Sequence, residues 1–250
     1  MIQETLAKTG DNTQIACKCI YTSMEPHQIL IFEDLTKKNY KPVSGIEGSL
    51  PIVKIALSKL ARYHAVCFKT NSETGEIKKD YEKIQFDVEK LKQMPMFRDG
   101  FPFFLDMLKT IPDLKEYVPI FERIAADKPV DKAYSMFDDC KANWMILTHG
   151  DFHLKNIMLS EKEDGSVDDV LLIDFQACCW GPAITDITYM LYMMLDTKTR
   201  LERRDEVIYH YYKEFTETLR RINFTGEFPK LTDLYKDILS FKDYGERFLL

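Results

Sequence analysis

Runs of apolar residues predict strands at the start of the chain and helices over most of the remainder. Residues 15–22 and 28–32 are rich in strand formers and are separated by a turn, residues 24–27, that contains Pro26. The second run, Gln-Ile-Leu-Ile-Phe, is continuous enough to predict a buried strand. It leads into Glu33, Asp34 and Leu35, and then into a polar loop, residues 36–49, with Gly45 and Gly48. From Leu50 to Phe68 the pattern becomes helical. Ile52, Ala56, Leu60, Tyr63 and His64 form an apolar stripe, Ser49 can cap it, and Pro51 sits in the first turn, where proline is tolerated. On that stripe His64 reads as a hydrogen-bonded core or junction histidine rather than a catalytic base. Helices are also predicted over residues 81–94, 112–127 and 130–142. Residues 96–108 between them are dense in Phe and Met, which predicts core or the wall of an apolar pocket.

The next pattern is shorter in period. Residues 157–159 and 170–173 are apolar strand formers, and the charged stretch between them contains Gly165, so a hairpin is expected. Residues 178–183, with Gly181-Pro182, read as a loop. Thr185 or Asp186 then caps an apolar helix over 187–195. Asp186 reads most simply as that cap, with a second role in bracing the loop around residue 150. Helices over 199–222 and 231–240 complete the chain. Strands at the start and helices after residue 50 give an α/β (α+β) fold class.

Composition narrows the picture. Of the 250 residues, 45% are hydrophobic and 30% charged, as in ordinary soluble domains. A net charge of −6 gives no electrostatic footprint for nucleic acid or an acidic membrane. No apolar run reaches membrane-spanning length, and the start, Met-Ile-Gln-Glu-Thr-Leu, lacks the charged and apolar regions of a signal peptide. The cysteines are Cys17, Cys19, Cys67, Cys140, Cys178 and Cys179, and none forms a Cys-x-x-Cys pair. Reduced thiols and a cytoplasmic location are therefore expected.

The candidate chemistry lies between Ile146 and Asp174. The expected hairpin places Asn156, at the start of one strand, beside Asp174, at the end of the other. An amide oxygen and a carboxylate are hard donors that suit magnesium carrying a nucleotide phosphate. Asp151, on the loop before them, is free to accept a proton from a hydroxyl. Taken singly, each Asp is more simply a cap or turn residue. The pair His149 and His153 can also be read as zinc ligands, giving a metal-dependent hydrolase with Asp151. However, their spacing fits no zinc signature, and Asn156 is a poor zinc ligand. Together, His149-Gly150-Asp151, Asn156 and Asp174-Phe175-Gln176 reproduce the spacing H-x-D-x-x-x-x-N followed by D-F of protein kinases.

Three stretches carry a wider resemblance: Leu-Thr-His-Gly-Asp-Phe-His-Leu-Lys-Asn-Ile-Met from Leu147, Leu-Ile-Asp-Phe-Gln-Ala from Leu172, and Ile-Phe-Glu-Asp-Leu from Ile31. With Leu-Ser-Lys-Leu-Ala-Arg-Tyr-His-Ala from Leu57 and Tyr-His-Tyr-Tyr from Tyr209, they are similar to the insect ecdysteroid kinase-like (CHK kinase-like) proteins. These are relatives of choline kinases and aminoglycoside phosphotransferases. The resemblance implies a protein-kinase-like fold and ATP-dependent phosphorylation, with Mg2+, of a hydroxyl on a small molecule, an ecdysteroid-like one among the options. It implies Asp151 as catalytic base and Asn156 and Asp174 as metal ligands. Glu33, Asp34 and Leu35 would form the hinge that holds adenine through its backbone, with His149, His153 and Asp186 in support. The chain departs from kinases at its start. Gly10 is the only glycine before Gly45, only 27 residues precede Gln28, and Lys18 lies past the place of a phosphate-binding lysine. The expectation is a truncated N-terminal β lobe with the hinge over residues 1–35, a mainly helical C-terminal lobe over 36–250, and weak nucleotide binding with slow turnover. The competing expectation is a non-catalytic relative that binds a ligand or partner.

Overall fold

A computed structural model describes residues 1–45, 48–82, 93, 95–126 and 142–240. Within it a short helix α1, Ile2–Ala7, precedes the long helix α2, Leu50–Thr74, on which most other elements pack. Its middle is built from Ala and Leu, strong helix formers, and Val53, Leu57, Leu60 and Ala61 are fully buried on one face. The apolar stripe fades after Phe68, so periodicity alone places the end too early. The helix continues to Thr74 and stops at Gly75, whose φ of 70° and N–H to Asn71 O (2.8 Å) make a left-handed cap. Ser49 occupies the N-cap position, but its side chain makes no cap hydrogen bond.

Seven strands form three small sheets among the described residues. β1 (Cys19–Ser23) and β2 (Ile29–Phe32) make an antiparallel hairpin. β3 (Lys41–Pro42), β5 (Ile157–Glu161) and β6 (Val167–Leu172) make an antiparallel three-stranded sheet, with Ile157 opposite Leu172. β4 (Met145–Leu147) pairs with β7 (Trp180–Pro182). The outer face of α2 is covered by a second long helix, Thr197–Arg221, which contributes Val207, Ile208, Tyr211, Phe215 and Leu219 to the core. Trp144, 1% exposed, fills the joint against Phe215, with ring centres 4.9 Å apart. The helix Leu231–Ser240 is tied back through Asp237, which accepts the N–H groups of Asn143 and Trp144 (both 3.0 Å).

Several expectations need correction. The run 28–32 is a strand, but all four residues of β2 are exposed, Leu30 at 65%. A continuous apolar run specifies extended chain, not a covering layer, and no described element covers this hairpin. Residues 15 and 16 do not extend β1. Ile15 O instead accepts the Leu172 N–H (2.9 Å), and Ala16 bridges Leu172 in the parallel sense. The expected loop at 178–183 contains strand β7, because backbone pairing with β4 outweighs the turn preference of Gly and Pro. The following helix, Ala183–Met193, begins four residues earlier than expected, with Pro182 at its N-cap position, so Asp186 lies inside the first turn and is not the cap. The stretch 96–108 is largely helical (Pro95–Arg98 and Gly100–Thr110), and Phe103 is 73% exposed. The expected helices over 81–94 and 130–142 fall mostly on residues outside those described. Residues 112–127 divide into a 3-10 turn, Pro112–Tyr117, and a helix, Val118–Ala126.

Candidate active site

Residues 148–156 cross the open end of the β5–β6 hairpin, and their path is held from below by Asp186. This carboxylate, 1% exposed, accepts from the backbone N–H groups of His149 (2.6 Å) and Gly150 (2.9 Å) and from His64 Nε2 (3.1 Å). Burial alone would raise its pKa. The His64 hydrogen bond, the two imidazoles and the His149 N–H together outweigh burial and hold it below the usual carboxylate value. Tyr211 donates its hydroxyl to His64 Nδ1 (2.8 Å), because Nε2 must carry the proton that faces Asp186. The bracing expected of Asp186 is therefore present in the geometry. Gly150 has a φ of 82°, and a Cβ there would lie 2.1 Å from Ala177 O, so only glycine fits.

The loop delivers Asp151 to a ring of donors. Asn156 Nδ2 donates to the Asp151 carboxylate (2.9 Å) and to its backbone oxygen (2.8 Å). His153 Nδ1 accepts the Lys155 N–H (3.1 Å), so its proton sits on Nε2, 3.2 Å from Asp151 Oδ1. The Tyr189 hydroxyl is a third donor to this carboxylate. Burial, then the charge of Asp151, pushes its pKa up to about 12, which keeps it protonated. The Asp151 side chain remains 30% exposed, within reach of an incoming hydroxyl.

Asn156 also ties this loop to Asp174. Its backbone oxygen accepts the Ile173 N–H (3.0 Å), and His149 Nε2 donates to Ile173 O (3.0 Å). Both Asn156 amide hydrogens point at Asp151, so Oδ1 faces the other way, and no donor among the described residues reaches it. Asp174 adopts a left-handed conformation (φ 66°, ψ 63°), uncommon for a residue with a Cβ, and is engaged only weakly by Gln176 Nε2 (3.3 Å). An amide oxygen and a carboxylate held by only one weak donor are a donor set for a hard cation. The zinc reading fails: among the described residues no group of three or more His, Cys, Asp and Glu is placed to hold a metal ion.

At the other end of the site, Glu33 N–H donates to Lys18 O (2.9 Å) and Leu35 O accepts the Tyr40 N–H (3.1 Å). The Glu33 carboxylate takes Lys38 Nζ (2.6 Å), Lys18 N–H (2.8 Å) and Gln14, and the Lys38 hydrogen bond foremost holds its pKa down to about 2. Asp34 caps the next turn by accepting from Thr36 (3.0 Å), and Leu35 is buried. A cleft of about 720 Å³ lies between Glu33 and Phe175 and is lined also by Gln14, Lys18 and Tyr63. Sequence reasoning missed Tyr189 at Asp151, although its spacing of three from Asp186 puts both on one helix face. It also set Lys18 aside.

Among known proteins, the model of the ecdysteroid kinase-like family matches residues 1–224. An ethanolamine kinase of Plasmodium vivax is 13% identical, with 88% of this chain and 60% of that one covered at a TM-score of 0.34. A glucosamine kinase is 18% identical, with 99% and 62% covered at a TM-score of 0.39. The chain thus spans less than two thirds of the length of either. None of the curated proteins is significantly similar to it.

Proposed function

The chain belongs to the ecdysteroid kinase-like family, and from that premise we propose that it is a phosphotransferase, moving a phosphoryl group from ATP to a hydroxyl of a small molecule. The observation that carries this reading is the double engagement of Asn156. Its Nδ2 fixes Asp151, while its backbone oxygen accepts the Ile173 N–H, next to Asp174. One residue thereby ties the proton acceptor to the segment that carries Asp174, the pairing that phosphoryl transfer to a hydroxyl requires.

Asp151 accepts the proton of the acceptor hydroxyl. His153, Tyr189 and Asn156 hold its carboxylate in one rotamer, and Asp186 holds the backbone that presents it. Asn156 Oδ1 and the Asp174 carboxylate are the residues that would hold Mg2+. Once bound with the nucleotide, that ion supplies charge neutralisation at the phosphates. Main-chain groups of Glu33, Asp34 and Leu35 not already paired within the chain receive the base. An ecdysteroid-like alcohol is one acceptor class for this site. A cytoplasmic setting agrees with the free thiols of the five described cysteines, and no described helix is long and apolar enough to cross a membrane.

The test is transfer of labelled phosphate from ATP, with Mg2+, to a panel of steroid and amino-alcohol acceptors. The wild-type chain should show slow transfer. Asp151→Asn should keep ATP binding and lower turnover by about 10²–10⁴-fold, the usual contribution of a positioned general base. Unchanged turnover in that variant would remove Asp151 from the mechanism.

A further inference from the structure

Residues 15–18 run beside the end of β6 and carry an ammonium group into the cleft. Ala16 bridges Leu172 in the parallel sense, and Leu172 N–H donates to Ile15 O. Lys18 follows that bridge by two residues, and the cleft it lines also has Phe175, the residue after Asp174, in its wall. On its other side Lys18 is pinned to Glu33 by two hydrogen bonds. Its N–H donates to Glu33 Oε1 (2.8 Å), and its carbonyl accepts the Glu33 N–H (2.9 Å). Lys18 is thus held beside Glu33 and lines the same cleft as Glu33 and Phe175.

The charges around it are already matched. The Lys38 ammonium is committed to Glu33 (2.6 Å), and Glu4 is paired with the Met1 amine (3.1 Å). Lys59 is buried and bound to Asp169 (2.8 Å). Lys18 has no acidic partner among the described residues. An uncommitted cation therefore lines the cleft that runs from Glu33 to Phe175, beside Asp174 in the chain.

We propose that Lys18 is a phosphate ligand of this site, its ammonium meeting the polyphosphate of a nucleoside di- or triphosphate. The proposal rests on the reading of this site as nucleotide-dependent. Lysine suits the task as a compact point charge on a flexible stem, able to follow phosphate oxygens without a fixed fork geometry.

The experiment is calorimetric titration of the chain with ATP, ADP and adenosine at saturating Mg2+, comparing wild type with Lys18→Ala, Lys18→Arg and Lys8→Ala. Lys8 does not line the cleft. Lys18→Ala should weaken ATP and ADP by about 5- to 10-fold, as expected for a partly exposed charge contact. Adenosine, which has no phosphate, should bind Lys18→Ala and wild type equally, and this also shows that the variant is folded. Lys18→Arg should stay within about 2-fold of wild type, because the charge is kept. Lys8→Ala should match wild type. Equal ATP affinity in wild type and Lys18→Ala, or a loss that extends equally to adenosine, overturns the assignment of Lys18 and leaves the site reading standing. A wild-type chain that binds neither ATP nor adenosine overturns both.

Discussion

Replacing Asp186 by Asn isolates the brace beneath the Asp151 loop. The two side chains have the same shape, so packing is unchanged. The carboxylate serves three donors, His149 N–H and His64 Nε2 on one oxygen and Gly150 N–H on the other. An asparagine can keep its oxygen toward the first two. Its NH2 then faces the Gly150 N–H, donor against donor. One charge-assisted hydrogen bond is lost, at about 1.5–3 kcal/mol, and one part-buried N–H is left facing another donor, at about 1–3 kcal/mol. Together Asp186→Asn should lower stability by roughly 3–5 kcal/mol, a large part of the ~5–15 kcal/mol of an ordinary domain. At ~2–4 °C per kcal/mol for a chain of this size, the melting temperature should fall by roughly 10 °C. Urea and thermal unfolding at pH 7 give the magnitude. Hydrogen exchange locates it, since the Gly150 and His149 amides should lose protection before the core of α2 does. A variant within about 1 kcal/mol of wild type, with the Gly150 amide still protected, would refute the reasoning.

Burial above all pushes the His64 pKa below its ordinary value of 6.5, against the pull of Asp186, with His149 also repelling the charged form. With a depressed folded pKa, the unfolded chain takes up a proton that the folded one refuses. Stability should therefore drop as pH falls below about 6.5, and a urea midpoint that is flat from pH 7 to 5 would contradict this. Asp186, also depressed, adds a further loss only as pH falls below 3.8. Gly150→Ala should cost about 3 kcal/mol or more, because a left-handed backbone and a clash with Ala177 O act together. Gly165→Ala, at a similar φ but in open space, should cost only ~1–2 kcal/mol, and urea midpoints of the two variants make the comparison. Lys59→Met removes bonds to Asp169 and to Gln14 O (2.6 Å). It should destabilise by ~1–3 kcal/mol and speed hydrogen exchange in residues 12–18, and unchanged exchange there would sink the idea that Lys59 anchors that segment.

The parts of the fold legible in the sequence were those fixed by local pattern. The hairpin around Gly165 followed from two apolar runs and a charged turn, and its register sets Ile157 opposite Leu172, with Asn156 O accepting the Ile173 N–H. Helix Leu231–Ser240 matched its periodicity at both ends. What local pattern could not carry were long-range partners. The run 28–32 announced a strand but not its exposure, because nothing in five residues says what lies above them. Trp180–Pro182 is strand only by pairing with Met145–Leu147, and its own residues favour a turn. Asp186 had a visible place near a helix start, yet its three donors come from residues 36, 37 and 122 positions away. Lys18 was set aside by counting residues from the start of the chain. Its place in the cleft follows from a segment held to β6 by one parallel bridge at Ala16, which no periodicity shows.

The central claim is that Asn156 and Asp174 hold a cation with a nucleotide next to Asp151. Calorimetric titration with ATP, with and without Mg2+, tests it on wild type and Asp174→Asn. Asp174→Asn removes one negative charge from a site that must hold a dication. The account predicts that wild type binds ATP more tightly with Mg2+ than without, and that Asp174→Asn abolishes most of that difference while leaving the fold intact. ATP binding that is indifferent to Mg2+ in wild type, or a Mg2+ effect equally large in Asp174→Asn, would contradict it.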